Sequence, residues 1–342
     1  MSKLGVGVVG VGAMGRRHAE NLRRAIPEAC LVAVADADRA RVRQVADELE
    51  VEHAYDSIEA LVERKDIQAV LIASPAKFHA SAIQVAAAAG MNILCEKPLA
   101  LTLEEANAAL AAVERAGVRL QVGHMRRYDP AYAAAKKRIE AGEIGEPVIF
   151  KAIGRDREAP PLSYFQSGLN PMLFLDSSIH EFDLARWLME DEVTEVHAFA
   201  AVRNPELAQF GDIDAGVVNL RFVRGGIGNV ESFREACYGY DIRTEIVGSK
   251  GTLLVGYLRQ TAQLVLTDTG AGHDVVGHWL VRFAEAYLNE LRDFVETVRA
   301  GRQPRVSGED GRRALAIALA AERSYRESRP VALLELTGTR RA

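Results

Sequence analysis

Three short segments of the chain carry residue types at spacings that can do chemistry. The first is Gly10-Val11-Gly12-Ala13-Met14-Gly15, a GxGxxG sequence between the apolar run Leu4–Val9 and a helical stretch from Met14 to Ala25. Gly10 permits a tight turn, Gly12 lets backbone approach a pyrophosphate, and Gly15 allows close packing of helix on strand. The amides around Ala13 and Met14, exposed at a helix N-terminus, would meet the phosphate charge. The same residues would also serve a strand–helix turn that binds nothing. About twenty residues on, Asp36 ends the run Cys30–Ala35, where a carboxylate can accept hydrogen bonds from both adenosine ribose hydroxyls. A 2′-phosphate there would meet like charge, so NAD is expected rather than NADP. Asp36 could instead cap the helix that starts near Asp38, and Arg39 and Arg41 could swing toward a phosphate.

The second segment is Glu96-Lys97-Pro98, after the run Asn92–Cys95. The proline fixes the backbone and often marks a special peptide geometry. The Lys97 ammonium could hydrogen-bond a substrate hydroxyl and steady developing alkoxide charge. A solvated lysine before a loop proline is the plainer alternative. The third is Asp176-Ser-Ser-Ile-His180-Glu-Phe-Asp183, ahead of an apolar face formed by Leu184, Trp187 and Leu188. On one helix Asp176 and His180 would share a face, with Asp183 one turn on. Histidine can take a hydroxyl proton near neutral pH, and a nearby carboxylate orients its ring. An N-cap aspartate with a surface histidine would give the same spacing.

The elements that must position these residues change character along the chain. Up to Gly123, apolar runs alternate with helices of about twelve residues, the pattern of a parallel sheet covered on both faces. Such a sheet binds ligands beyond the carboxyl ends of its strands. That places chemistry at Gly10–Gly15, Asp36, Ser74 (after the run Ala69–Ala73) and Glu96–Pro98. From 124 a helix over Asp129–Ala141 and a strand over Val148–Ile153 precede a Pro-rich loop and one helix. Strand-like runs follow at 193–202, 215–223, 227–233, 242–247, 251–255 and 263–266, and helices over Phe283–Ala300 and Gly308–Tyr325 close the chain. The fold class expected is α/β: a Rossmann domain over 1–123, then an α+β domain over 124–342 with a mainly antiparallel open sheet. Too few helices remain to cover both faces of that sheet, so it is expected to bury one against another subunit.

Composition excludes several classes. The formal net charge is −5 and no basic block occurs, so neither nucleic acid nor an anionic membrane is an expected partner. No apolar stretch is long enough to span a bilayer and no signal-peptide pattern opens the sequence. Three scattered cysteines, Cys30, Cys95 and Cys237, form no CxxC pair, and a reducing cytoplasm is expected. No metal is called for: His53, His79, His197 and the His273/His278 pair have no ligand spacing.

Taken in order, the glycine turn, Glu96-Lys97-Pro98 and the Asp176/His180/Asp183 cluster resemble the glucose–fructose oxidoreductase, inositol dehydrogenase and rhizopine-catabolism (Gfo/Idh/MocA) family. Gly123-His-Met-Arg-Arg-Tyr128 and the segment Tyr238–Gly248 are similar to its inositol dehydrogenase branch, as is the Pro160-Pro161-Leu-Ser-Tyr164 loop. The resemblance spans nearly the whole chain. It implies Lys97 and His180 as catalytic residues, Asp176 as partner of the histidine, and Arg126, Asp156 and Tyr240 as contacts to substrate hydroxyls. It also implies that His79 touches the cofactor; a helix-surface histidine is the alternative. One departure is Gly168-Leu-Asn-Pro-Met172 where the family has a Gly-Gly, in a loop expected to face substrate.

The activity implied is NAD-dependent oxidation of a ring hydroxyl of an inositol (myo- or scyllo-) or a related sugar to the ketone. His180 takes the proton, hydride passes to nicotinamide, and Lys97 steadies the oxygen. Dehydrogenation of another aldose is the alternative; a non-catalytic NAD-bound sensor or an NAD-using glycosidase stands further off. The family also implies a homotetramer, with a dimer as the smaller possibility.

Overall fold

The computed structural model describes residues 3–169, 171–256 and 259–338. Two compact units result. One comprises Met1–Tyr128 with Glu285–Leu315, the other Asp129–Ala284 with Ala316–Ala342. This differs from a division at 123 because the chain returns late to the first unit. Leu291, Phe294 and Val295, near the C-terminus, share a core with Val6, Val8, Leu22, Val34 and Leu71.

The first unit is a six-stranded parallel sheet: β1 (Leu4–Val9), β2 (Ala29–Ala35), β3 (His53–Tyr55), β4 (Ala69–Ile72), β5 (Asn92–Glu96) and β6 (Leu120–Gly123). Their order is β3-β2-β1-β4-β5-β6, so connections leave β1 and β4 in opposite directions, and ligands bind at such a switch point. β3 escapes a hydropathy reading because its three residues are only half-buried or exposed. β1, by contrast, is buried along its whole length, as a central parallel strand should be. The helix over Leu103–Ala116 starts in a Thr102/Glu105 capping box and stops at left-handed Gly117.

The second unit holds β7 (Pro147–Arg155), β8 (Val193–Ala201), β9 (Ala215–Phe222), β10 (Ile227–Phe233), β11 (Asp241–Gly248), β12 (Thr252–Val255), a hairpin of β13 (Val265–Thr267) with β14 (Gly270–Gly272), and β15 (Val331–Ala332). Seven strands form one sheet in the order β12-β11-β7-β10-β9-β8-β15. Among the described residues only the β7–β10 pair is parallel, so the sheet is mainly antiparallel, as expected. Among the described residues the run 263–266 does not join it; β13 pairs with β14 in a separate two-stranded sheet, and the hairpin is exposed. Between β7 and β8, where one helix was expected, the described residues form three, over Leu162–Gln166, Leu173–Asp176 and Ile179–Met189. On one face of the sheet Phe150, Ala152, Val218, Leu220, Val230 and Ile246 are buried. On the other, Phe199, Val217 and Leu254 are exposed. Among the described residues no helix is long and apolar enough to cross a membrane.

Candidate active site

In the first unit the glycine turn is shaped by contact with its own backbone. Gly10 has φ +83°, and a Cβ there would run into the backbone of Ala73 and Ser74. A Cβ on Gly15 would strike the Gly10 carbonyl oxygen. Over Gly12 there is nothing within 4 Å. The helix Ala13–Ala25, which Ala13 and Met14 open, has no side-chain cap. Ser74 Oγ is buried and has no hydrogen-bond partner among the described residues. An open cradle beside uncapped amides and an orphaned hydroxyl fits a dinucleotide pyrophosphate.

Asp36 follows β2. Its Oδ2 accepts from Val11 N–H and its Oδ1 from Asp38 N–H, both at 2.9 Å. It does not cap the next helix; Asp38 does, accepting from the Ala40 and Arg41 amides at 3.1 Å. Arg39 turns to Asp56, while Arg41 lies 3.3 Å from the Asp36 carboxylate. Asp36 thus ties the glycine turn to the end of β2, and its own charge already has a cationic neighbour.

The segment after β5 is held from below by histidines. His79 is 2 % exposed, so the helix-surface alternative fails. Its Nδ1 lies 2.7 Å from Pro98 O and its Nε2 2.7 Å from Ser74 O, which makes the ring a strut between the loops after β4 and β5. Burial lowers its pKa, against the raising effect of these two carbonyls. Glu96 points into the unit, with Oε1 2.7 Å from His18 Nε2. Burial opposes its charge, but the His18 hydrogen bond and the charges of His18 and Lys97 prevail and hold its pKa below the usual carboxylate range. Lys97 is half-buried and joined to Pro98 by a cis peptide. Arg126, in a short 3-10 turn over Met125–Tyr128, is buried.

In the second unit Asp176 and His180 lie on separate helices. One ends at Asp176, the backbone breaks at Ser177-Ser178, and the next begins at Ile179. Asp176 is therefore no N-cap. His180 is 8 % exposed, which removes the surface-histidine alternative, and Asp183 is buried on the same helix. Asp176 lies 3.5 Å from the guanidinium of Arg234, which is wholly buried and also 3.1 Å from Asp212. Burial pushes the Asp212 carboxyl up in pKa, against the pull of Arg234. Tyr164 hydrogen-bonds Asp176, and burial with that negative charge raises its phenol pKa. Asp156 follows β7 and accepts from Ser177 Oγ at 3.1 Å, at the break between the two helices. Tyr240 is buried just before β11, its ring edge-on to Phe283. In the loop 168–172, Asn170 lies outside the described residues.

Comparison with known proteins identifies the family. Residues 4–124 match the oxidoreductase family's NAD-binding Rossmann fold, and residues 136–333 its C-terminal alpha/beta domain. The chain belongs to the Gfo/Idh/MocA oxidoreductase family. It is 41 % identical to a scyllo-inositol 2-dehydrogenase (NAD(+)) of Bacillus subtilis, with 95 % of each chain covered. With a myo-inositol 2-dehydrogenase of Thermotoga maritima the identity is 39 %, over 97 % of this chain and 99 % of the relative. The crystal structure of a scyllo-inositol dehydrogenase from Lactobacillus casei with bound NAD(H) and scyllo-inositol superimposes with a TM-score of 0.90. It is 28 % identical, over 97 % of this chain and 99 % of that one.

Two features of this Gfo/Idh/MocA chain lay beyond the sequence reading. One is the Arg234–Asp212 pair behind Asp176: Arg234 follows β10 directly, but its partners are distant in sequence. The other is His18 with Glu290, which together with Glu96 place ionisable atoms within 4.8 Å of one another. His18 lies three residues after Gly15 on a helix whose inward face is otherwise apolar, and that was a usable signal.

Proposed function

We propose that this protein oxidises an inositol, myo- or scyllo-, to the 2-ketone with NAD. The observation that carries this reading is an intact glycine turn with an open cradle, in one chain with a buried His180 four residues after Asp176. The relatives named inositol 2-dehydrogenase support both the substrate class and the carbon. When bound, NAD supplies the hydride acceptor. His180 accepts the proton of the ring hydroxyl, and Asp176 stabilises the imidazolium that forms. Lys97 hydrogen-bonds the substrate oxygen as it passes from hydroxyl to carbonyl. Arg126, Asp156 and Tyr240 are assigned to the remaining hydroxyls. Arg234 neutralises the buried Asp212 and leaves Asp176 a carboxylate. Per turnover one polyol loses a hydride and a proton, one NAD becomes NADH, and the proton leaves through His180.

The open face of the second sheet supports a homo-oligomer, a tetramer by family resemblance, because Phe199, Val217 and Leu254 stand in solvent on one chain alone. A mass measured in solution at micromolar concentration should be that of a dimer or tetramer. Three unpaired cysteines suit the reducing cytoplasm, where we place the protein. The function is tested by incubating a panel of polyols and sugars with NAD. The inositols should give the highest rate of NADH formation, and an equal or greater rate with an unrelated aldose would redirect the assignment.

A further inference from the structure

The first unit contains a buried ionic cluster that the mechanism above does not use. It joins three elements: His18 from the helix Ala13–Ala25, Glu96 from the end of β5, and Glu290 from the helix Ala284–Ala300. Their donor atoms lie within 4.8 Å of one another. His18 and Glu290 are wholly buried and Glu96 nearly so. Among the described residues neither carboxyl oxygen of Glu290 has a hydrogen-bond partner, nor has His18 Nδ1.

We propose that Glu290 and His18 are positioning residues, which lock the Glu96 side chain and thereby the backbone from which Lys97 projects. The inference rests on the role given to Lys97 above. Glu96 is the last residue of β5 and Lys97 the next, so whatever fixes one carboxyl fixes the start of the other side chain. The protonation pattern follows from burial. His18 Nε2–H donates to Glu96 Oε1 at 2.7 Å. Two buried carboxyls this close share one proton rather than both ionise. Glu96 keeps the charge because Lys97 and the His18 hydrogen bond favour it. Glu290 keeps the proton, its pKa raised well above the usual range by burial and by the charges of Glu96 and Asp293. The protonated Glu290 carboxyl lies within 4.8 Å of the Glu96 carboxylate, and that carboxylate is the acceptor we assign to it.

The other groups that face the cluster are few. The Tyr287 ring meets His18 edge-on at 5.8 Å. Asp293 is held by Tyr128 Oη at 3.2 Å, with Arg305 at 3.8 Å. His79 directs both ring nitrogens elsewhere, to Pro98 O and Ser74 O. Asp293 bears on Glu290 through its charge and is itself a carboxyl whose pKa burial raises.

Because the folded-state pKa of Glu290 is raised, the folded state holds a proton that the unfolded chain has lost above about pH 4.3. Stability therefore falls as pH rises from that value through the folded pKa. Glu290→Gln keeps the shape and an N–H donor but has no proton to lose. The experiment compares Glu290→Gln, Glu290→Leu and the unmodified enzyme. Melting temperatures are taken without ligands from pH 5 to 8, and kcat and KM are measured with an inositol and NAD. The Tm advantage of Glu290→Gln over the unmodified enzyme should grow with pH. Glu290→Leu should lose about tenfold to a hundredfold in kcat with little change in KM for NAD, and Glu290→Gln should restore most of it. Dialysis against EDTA should leave all rates unchanged. A pH-independent Tm difference would refute the shared proton. Equal kcat in the Leu and Gln variants would refute the positioning role, and so would activity lost to EDTA and regained with a divalent cation. An unmodified enzyme that makes no NADH from any polyol would instead overturn the function itself, whatever the melting curves show.

Discussion

In the first unit, what is offered to a ligand comes at the ends of adjacent parallel strands, and backbone does most of the holding. Gly10 and Gly15 close the turn against carbonyl and amide groups, and Asp36 ties it to β2. In the second unit the candidate site is built from side-chain charge. Asp176 sits at a break between helices, and its charge is balanced by Arg234 from the end of β10, itself shared with Asp212. Asp212 in turn accepts from Leu173 N–H at 3.0 Å, at the start of the helix that carries Asp176. A backbone-built site tolerates side-chain changes that leave its glycines alone. A charge-built site fails when any one member of the set is removed.

That contrast is most sharply tested at His180. His180→Ala should lower kcat on the order of 10²–10⁴-fold and leave the Kd for NAD nearly unchanged. The rise of the oxidation rate with pH, as the imidazole loses its proton, should vanish in the variant. Unaltered turnover with the same pH limb would move the proton to another group. Next in size is Arg234→Met, which strands two carboxylates in the second unit. It should cost about 3–5 kcal/mol of unfolding free energy, and adding Asp212→Asn should recover part of it. A urea titration showing no loss would mean that the pair is not what holds this region.

The two units also differed in how far the sequence disclosed them. Gly10–Gly15, Asp36 and Glu96–Pro98 are contiguous signals, each just after an apolar run, and the structure places each at a strand end. The 176–183 segment suggested a chemistry but did not disclose its geometry. Period-four spacing suggested one helix, yet Ser177 and Ser178 interrupt it, and Ser177 Oγ turns to Asp156 instead. Arg234 and Glu290 could not be singled out at all, because a charged residue becomes informative only when its burial is known. The return of 285–315 to the first unit was hidden for a similar reason: an amphipathic helix declares an apolar face but not what covers it.

Smaller effects separate backbone from side chain within the first unit. Gly12→Val should weaken NAD binding by about 1–3 kcal/mol while unfolding changes by less than about 0.5 kcal/mol, since the added atoms meet only the cradle. Gly10→Ala should instead destabilise the fold, because of its positive φ and the Ala73–Ser74 backbone. Similar melting curves for the two would remove the distinction. Asp36→Ala should narrow the preference for NAD over NADP by about tenfold, with Arg41 left to meet a 2′-phosphate. Equal use of both cofactors by the unmodified enzyme would contradict the role given to Asp36.

The central claim is hydride transfer from a ring carbon to nicotinamide, and isotope transfer measures it directly. Myo-inositol carrying deuterium at carbon 2 is incubated with NAD and the enzyme, and the reduced cofactor is isolated for mass and NMR analysis. The account predicts one deuterium at C4 of the nicotinamide for each ketone formed. Reduced cofactor without deuterium, or ketone formed without reduced cofactor, would contradict it.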